Sequence, residues 1–381
     1  MQPQHSCGPG GRRLRIAILG SRGIPARYGG FETFAEQISV RLAARGIDVT
    51  VFGESDNSPG LPSSYQGVAV RYVRRRSLGA LSTVLFDAQC LWQARRSFDV
   101  VYMLGYGAAP FCMLPRAWGT EVWINMDGLE WKRSKWSAPG RAYLRLMEWV
   151  AIRVAHVVVA DADSIRENLE GRHGRLRDCR VLAYGTELPD LQQLRGNDAV
   201  PGVQVGGYYL VVCRIEPENH VLELVQGFLQ SGSSRRLVVV GDVSGSSSYV
   251  RRLHEIAESR VLMLGTVYDQ KRLQAIRAGA VAYLHGHSVG GTNPSLLEAL
   301  AVGNVVIAHD NPFNREVTDG NALFFSNSAD VARCINAVEE MTSDCRAELA
   351  RRSRERARVH YSWDHITDQY IQALQTARVG R

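Results

Sequence analysis

The chain has 381 residues, 45% hydrophobic and 22% charged, a balance that excludes a disordered or fibrous protein. At about 150 residues per domain, that length predicts two domains. Its 45 basic against 38 acidic residues give a net charge of +7, which favours anionic partners without choosing among phosphates, nucleic acid and an acidic membrane surface.

At the start, MQPQHSCGPGGRR lacks the apolar core of a signal peptide. From Leu14 onward, short apolar runs alternate with helical patterns. RIAILG (15–20) is an apolar burst closed by glycine, which predicts a buried parallel strand. After a glycine-rich loop, Phe31, Phe34, Ala35, Ile38 and Leu42 recur at helical spacing, and Gly46 stops the helix. Further strands are predicted at DVTVF (48–52), VAVRYV (68–73), DVVYML (99–104), EVWIN (121–125) and HVVVA (156–160), with helices over 80–96 and 140–155. The longest uncharged run, 100–115, is broken by Gly and Pro and is too short to span a bilayer.

The rhythm stops at ELPDLQQLRGNDAVPGVQVGG (187–207), a polar, Gly- and Pro-containing linker. It resumes with YYLVVC (208–213), a helix bearing Val221, Leu224, Val225 and Phe228, then LVVVGD (237–242), VLMLG (261–265), VAYLH (281–285) and VVIAH (305–309). The expectation is an α/β chain of two Rossmann-like, doubly wound domains facing a cleft, the first over 14–190 and the second over 206–360. A C-terminal helix over 361–381 is expected to pack back on the first domain. The tail from 343 is helical and basic, a pattern that predicts a solvated face, with a membrane- or acid-binding patch as the alternative. Strand order is not readable from this pattern. The seven cysteines, from Cys7 to Cys345, are scattered and form no CxxC, so free thiols in a reducing, cytoplasmic setting are expected.

Ligands in open α/β sheets lie beyond the carboxyl ends of the strands, which makes four loops the candidates. GSRGIPARYGGFE (20–32) places Gly29 and Gly30 directly before a helix, where exposed amides and the positive helix end suit a phosphate. It is neither GxGxxG nor a Walker A loop. NMDGLEWKRSKW (125–136) gathers carboxylates, tryptophans and cations. Its Asp127, Glu130, Trp131, Lys132 and Arg133 suit a sugar stacked on an indole and an anionic acceptor, or else a loop that packs its tryptophans into the domain edge. In CRIEPENH (213–220), Arg214 stands where a strand ends, poised to fork onto a phosphate or to pair with Glu216 or Glu218. In HGHSVGGTNPSLLEALA (285–301), Asn293 is the expected cap and Pro294 the first helical residue. Glu298 follows just over one turn in, as a ribose-binding carboxylate or a plain solvent-facing one.

Taken together, these loops resemble the retaining glycosyltransferases of GT-B fold. GSRGIPARYGGFETFAE, DGLEWKRSKW and HGHSVGGTNPSLLEA resemble the bacterial branch that includes β-1,4-rhamnosyltransferases of capsule and exopolysaccharide assembly. The resemblance implies donor and phosphate contacts from Gly29, Gly30, Arg214, Asn219, Gly290, Gly291, Thr292, Asn293 and Glu298. Asn219 stands where the class carries a lysine, and Gly290 where it carries a first glutamate. Sugar contacts are therefore expected from the 290–293 backbone and from His285 and His287. Glu298 is expected to hold the ribose, Arg214 the leaving diphosphate, and Asp127 the acceptor hydroxyl. No metal and no cofactor are implied. The implied donor is dTDP-L-rhamnose and the implied acceptor a glycan or lipid-linked oligosaccharide, with peripheral association at the inner face of the cytoplasmic membrane and no nucleic acid. A GT-B relative using another nucleotide-sugar, a sugar-nucleotide epimerase and a non-catalytic nucleotide-sugar-binding scaffold are the rival readings.

Overall fold

The computed structural model describes residues 12–26, 29–55, 61–77, 79, 81–126, 128–194, 199–245 and 247–379; Asp127 and Cys7 lie outside the described residues. The first half runs β1 (Arg15–Leu19), α1 (Gly30–Ala44), β2 (Asp48–Ser55), β3 (Ser64–Tyr65), β4 (Val68–Arg74), α2 (Leu81–Ala94) and β5 (Val100–Leu104). It continues through α3 (Met113–Ala117), β6 (Glu121–Asn125), α4 (Ala138–Val154), β7 (Val157–Ala160), α5 (Asp163–His173) and β8 (Cys179–Val181). After α6 (Leu191–Leu194), the second half runs β9 (Tyr208–Val212), α7 (Val221–Gln230), β10 (Arg236–Val240), α8 (Ser248–Ile256), β11 (Val261–Gly265), α9 (Gln270–Gly279) and β12 (Ala282–His285). Then come α10 (Pro294–Val302), β13 (Val305–His309), α11 (Pro312–Thr318), β14 (Leu323–Phe325), α12 (Ser328–Glu340), α13 (Ser343–His360) and α14 (Trp363–Val379).

Each half makes its own sheet. The first has the order β3-β4-β2-β1-β5-β6-β7-β8, parallel except for the β3/β4 hairpin; the second has β11-β10-β9-β12-β13-β14 and is parallel throughout. The fold is thus α/β with two Rossmann-like, doubly wound units. Strands such as β5 and β6 are buried along their whole length because helices cover both faces of a parallel sheet, which is why they read as unbroken apolar runs. The strand order reverses between β1 and β5 in the first unit and between β9 and β12 in the second. Both switch points open at the carboxyl ends of the strands, where crevices form.

The last helix crosses back to the first unit. Trp363 and Tyr370 of α14 pack on Phe34 of α1, with ring centroids 6.2 and 5.8 Å away, and the Tyr370 and Tyr102 hydroxyls lie 2.9 Å apart. In the preceding helix, α13, three exposed arginines pair with the helix's own carboxylates: Arg351 and Arg352 with Glu348, and Arg358 with Glu355. That is the solvated face its sequence predicts. Among the described residues no helix is long and apolar enough to cross a membrane.

Candidate functional site

A cleft of about 1110 Å³ lies between the two units, lined by the loops that leave β1, β5 and β6 on one side and β9, β10, β11 and β12 on the other. Arg214 and Glu298 both line it, as do Gly29, Gly30, Glu130, Arg133, Asn219, His285, His287 and residues 290–293. Trp131 and Lys132 do not. The Trp131 indole donates from Nε1 to Glu148 and lies under the Arg145 guanidinium, so this tryptophan packs into the domain edge rather than facing a ligand.

On the second unit, Arg214 extends from the end of β9 with its side chain 54% exposed, its Nη1 3.8 Å from Glu216. That long contact leaves the guanidinium turned toward the cleft. Asn219 does not replace the expected lysine as a free ligand. Its Nδ2 donates to the Arg214 carbonyl at 2.7 Å, and its Oδ1 faces His287 Nδ1 at 2.8 Å, so the amide ties the arginine loop to the histidine. This arrangement puts the imidazole proton on Nδ1 and leaves Nε2 an acceptor against Gly290. Burial, then the Arg133 and Arg214 charges, push His287 down to about 4, so it is neutral at physiological pH. Burial, together with His287 and His309, also keeps His285 neutral.

Helix α10 begins as its sequence requires. The Asn293 side chain accepts from the Ser295 amide at 2.9 Å, and Pro294 occupies the first helical position. One turn on, Glu298 is 35% exposed and its Oε2 lies 2.5 Å from Nη2 of Arg277, whose side chain is only 2% exposed. Sequence reasoning missed Arg277. A guanidinium beneath the cleft floor holds the carboxylate in one orientation, with its other edge toward the cavity. The loops after β10 and β11 add Asp242, Thr266 and Tyr268 to the same wall, none of which carried a sequence signal.

The glycines of the 285–301 segment have a reason beyond ligand approach. Gly128, at φ +56°, and Gly290 meet backbone to backbone, so that a Cβ on Gly128 would fall 2.5 Å from the Gly290 Cα. A Cβ on Gly291 would lie 2.0 Å from Asp161 Oδ1, and Thr292 Oγ1 donates to the Asp161 carbonyl at 2.5 Å. The loop expected to present bare amides is therefore also the seam where the two units touch. Arg133 closes that seam: its guanidinium reaches Glu130 at 3.2 Å, Glu216 at 3.1 Å and Glu218 at 3.2 Å, and Ser134 donates to Glu218 at 2.6 Å. Burial works against its charge, yet Glu130, Glu218 and Glu216 hold the guanidinium above its ordinary value. Glu130 is further occupied by Lys135 and Trp136. The acceptor role expected of Glu130 and Arg133 thus meets side chains already committed to one another.

On the first unit, Gly29 caps α1 and Gly30 opens it, but Glu32 stands in the first turn and accepts from the Arg22 amide at 2.9 Å. A carboxylate already occupies part of the positive helix end. Deeper in this wall is Asp87, also unforeseen. Burial, and secondarily Glu54, push its carboxyl up to about 7, against the opposing Arg75 charge. Among the described residues, no group of three His, Cys, Asp or Glu side chains is placed to hold a metal ion.

Comparison with known proteins fits this geometry. Residues 225–372 match a family described as glycosyl transferase-like, and residues 14–187 match one described as a domain of unknown function (DUF1972). The chain thus has the GT-B fold, and within it residues 225–372 carry the glycosyl transferase-like match. Among solved structures it is similar to sucrose-phosphate synthase from Thermosynechococcus elongatus (TM-score 0.80, 18% identity, 97% of this chain and 100% of that one). It is also similar to Anabaena HepE in complex with UDP-glucose (0.77, 18%, 96% and 100%) and to a trehalose 6-phosphate synthase from Burkholderia multivorans (0.73, 15%, 97% and 97%). No curated protein matches it by sequence.

Proposed function

We propose that the chain transfers a sugar from a nucleoside-diphosphate donor to a glycan or lipid-linked acceptor in polysaccharide biosynthesis, with retention and with dTDP-L-rhamnose as donor. The observation that carries this reading is that Arg214 and Glu298, 84 residues apart in sequence, both line the second unit's wall of one interdomain cleft. Breaking the anomeric bond leaves positive charge on the sugar and negative charge on the departing diphosphate. A partly exposed guanidinium and the N-terminus of α10 stabilise that negative charge without reorganising. Glu298, held by Arg277, accepts hydroxyl hydrogen bonds from the ribose. Neutral His287 offers Nε2 as an acceptor for a donor-sugar hydroxyl, while Asp127 orients the acceptor. HepE is recorded with UDP and UDP-glucose, which brings uridine donors into the test.

The test is a panel of dTDP- and UDP-sugars, scored by thermal shift and by release of nucleoside diphosphate with and without an oligosaccharide acceptor. Acceptor-dependent release from dTDP-L-rhamnose with a β-linked product, which keeps the donor's anomeric configuration, supports the full reading. Turnover of a UDP-sugar alone corrects the donor, interconversion of UDP-N-acetylglucosamine without acceptor identifies an epimerase, and nucleotide binding with no turnover identifies a scaffold.

A further inference from the structure

Nine of the thirteen large apolar side chains that stand exposed among the described residues lie on one face of the first unit. Leu81, Leu85 and Trp92 form a single stripe on α2, at i, i+4 and i+11. Leu146 and Trp149, with Arg153, form another on α4, next to Tyr143. Phe111, Met113 and Trp118 lie on and beside the short helical segment against which both α2 and α4 pack. The inner faces of α2 and α4 share one core, through Phe86, Leu91, Leu144 and Met147, so their outer stripes turn outward together.

The charge on this face has one sign. Arg96, Arg141, Arg145 and Arg153 are exposed, whereas the only carboxylates of α2, α3 and α4, Asp87 and Glu148, are buried. The guanidinium of Arg95 lies 3.8 Å from the centroid of the Trp92 ring, that of Arg96 5.0 Å from Trp118, and that of Arg153 3.7 Å from Trp149. Indoles capped by arginines, among exposed leucines and with no exposed acid, match the boundary between lipid headgroups and acyl chains. We propose that this face docks the protein on an anionic lipid bilayer. Leu81 and Tyr143 belong to both the face and the cleft wall, so the acceptor mouth opens at the docked surface. That last step rests on the transferase reading; the docking surface does not.

Sedimentation of the full chain with phosphatidylglycerol/phosphatidylcholine vesicles tests it. The wild type should pellet with anionic vesicles, stay largely in solution with pure phosphatidylcholine, and be partly released by salt. The L146E/W149E variant, altered outside the cleft, should partition about tenfold more weakly or worse while keeping its thermal shift with nucleotide. R141S/R153S, which leaves the apolar stripe in place, should lose the preference for anionic lipid. Failure of the wild type to pellet overturns the proposal, as does equal pelleting of the wild type and L146E/W149E. A wild-type dimer that L146E/W149E converts to monomer overturns it too, since the face would then serve self-association. Loss of nucleotide binding in the wild type with vesicle binding intact would instead sink the transferase reading alone.

Discussion

Glu298 and Arg277 form a pair whose two members are unequal. The carboxylate is a third exposed and has solvent as a second partner; the guanidinium is buried and depends on Glu298 and on Ser295. Removing the acid therefore strands a buried cation, at a cost of about 3 kcal/mol or more. Glu298→Ala should lower thermal stability as well as abolish nucleotide binding, whereas Glu298→Gln keeps one acceptor for Arg277 and should lose binding at least tenfold with a smaller drop in melting temperature. Calorimetry on both variants, with and without nucleotide, separates the two effects. Asp87 gives a prediction in pH. Its folded carboxyl titrates near 7 against an ordinary value of 3.8, so the native state holds a proton that the unfolded chain has released. Its destabilising contribution is absent below about pH 4, grows as pH rises, and is complete above about pH 7. Asp87→Asn should melt like the wild type at pH 4 and above it at pH 8, by an amount equivalent to about 2–4 kcal/mol. Of these residues only Glu298 was legible in the sequence, because a lone acid interrupts an apolar helix. Arg277 sits in QKRLQAIRAG, where one more cation reads as solvent face, and its partner is supplied only by the packing of α9 against α10.

At the level of elements, fully buried strands announced themselves as apolar runs, and Asn293-Pro294 marked the start of α10 because both the cap and the fixed φ of proline are local chemistry. What the sequence did not disclose is β3, β8 and β14, two or three residues each and partly exposed, too short for any periodicity. Nor did it disclose why the loop before α10 carries paired glycines. Their neighbours, Gly128 and Asp161, come from 130 residues or more upstream, so the constraint is tertiary. Gly291→Ala must displace the Asp161 carboxylate or part the seam. A loss of about 1–3 kcal/mol is expected, together with a raised KM for donor and an unchanged fold by circular dichroism.

For the molecule as a whole, two alternating halves and a cleft follow from rhythm alone, whereas the strand order and the contacts across the cleft require the coordinates. Arg133 is the most connected of those contacts, joining the β6 loop to Glu216 and Glu218 of the second unit. Arg133→Met would leave three carboxylates facing one another. The expected result is an opened cleft, seen as an increase in radius of gyration by small-angle X-ray scattering, and a fall in kcat larger than any change in melting temperature. An unaltered scattering curve would show that the seam holds without it.

The return of α14 to the first unit has its own consequence for how the molecule is made. Trp363, Ile366, Tyr370 and Leu374 belong to the same apolar cluster as Phe34, Tyr102 and Trp123. A nascent chain emerging from the ribosome therefore lacks part of the interior of its first unit until α14 has been made. The half made second can close upon itself first, and a stop codon placed just after His360 would leave the older half with an open aromatic socket.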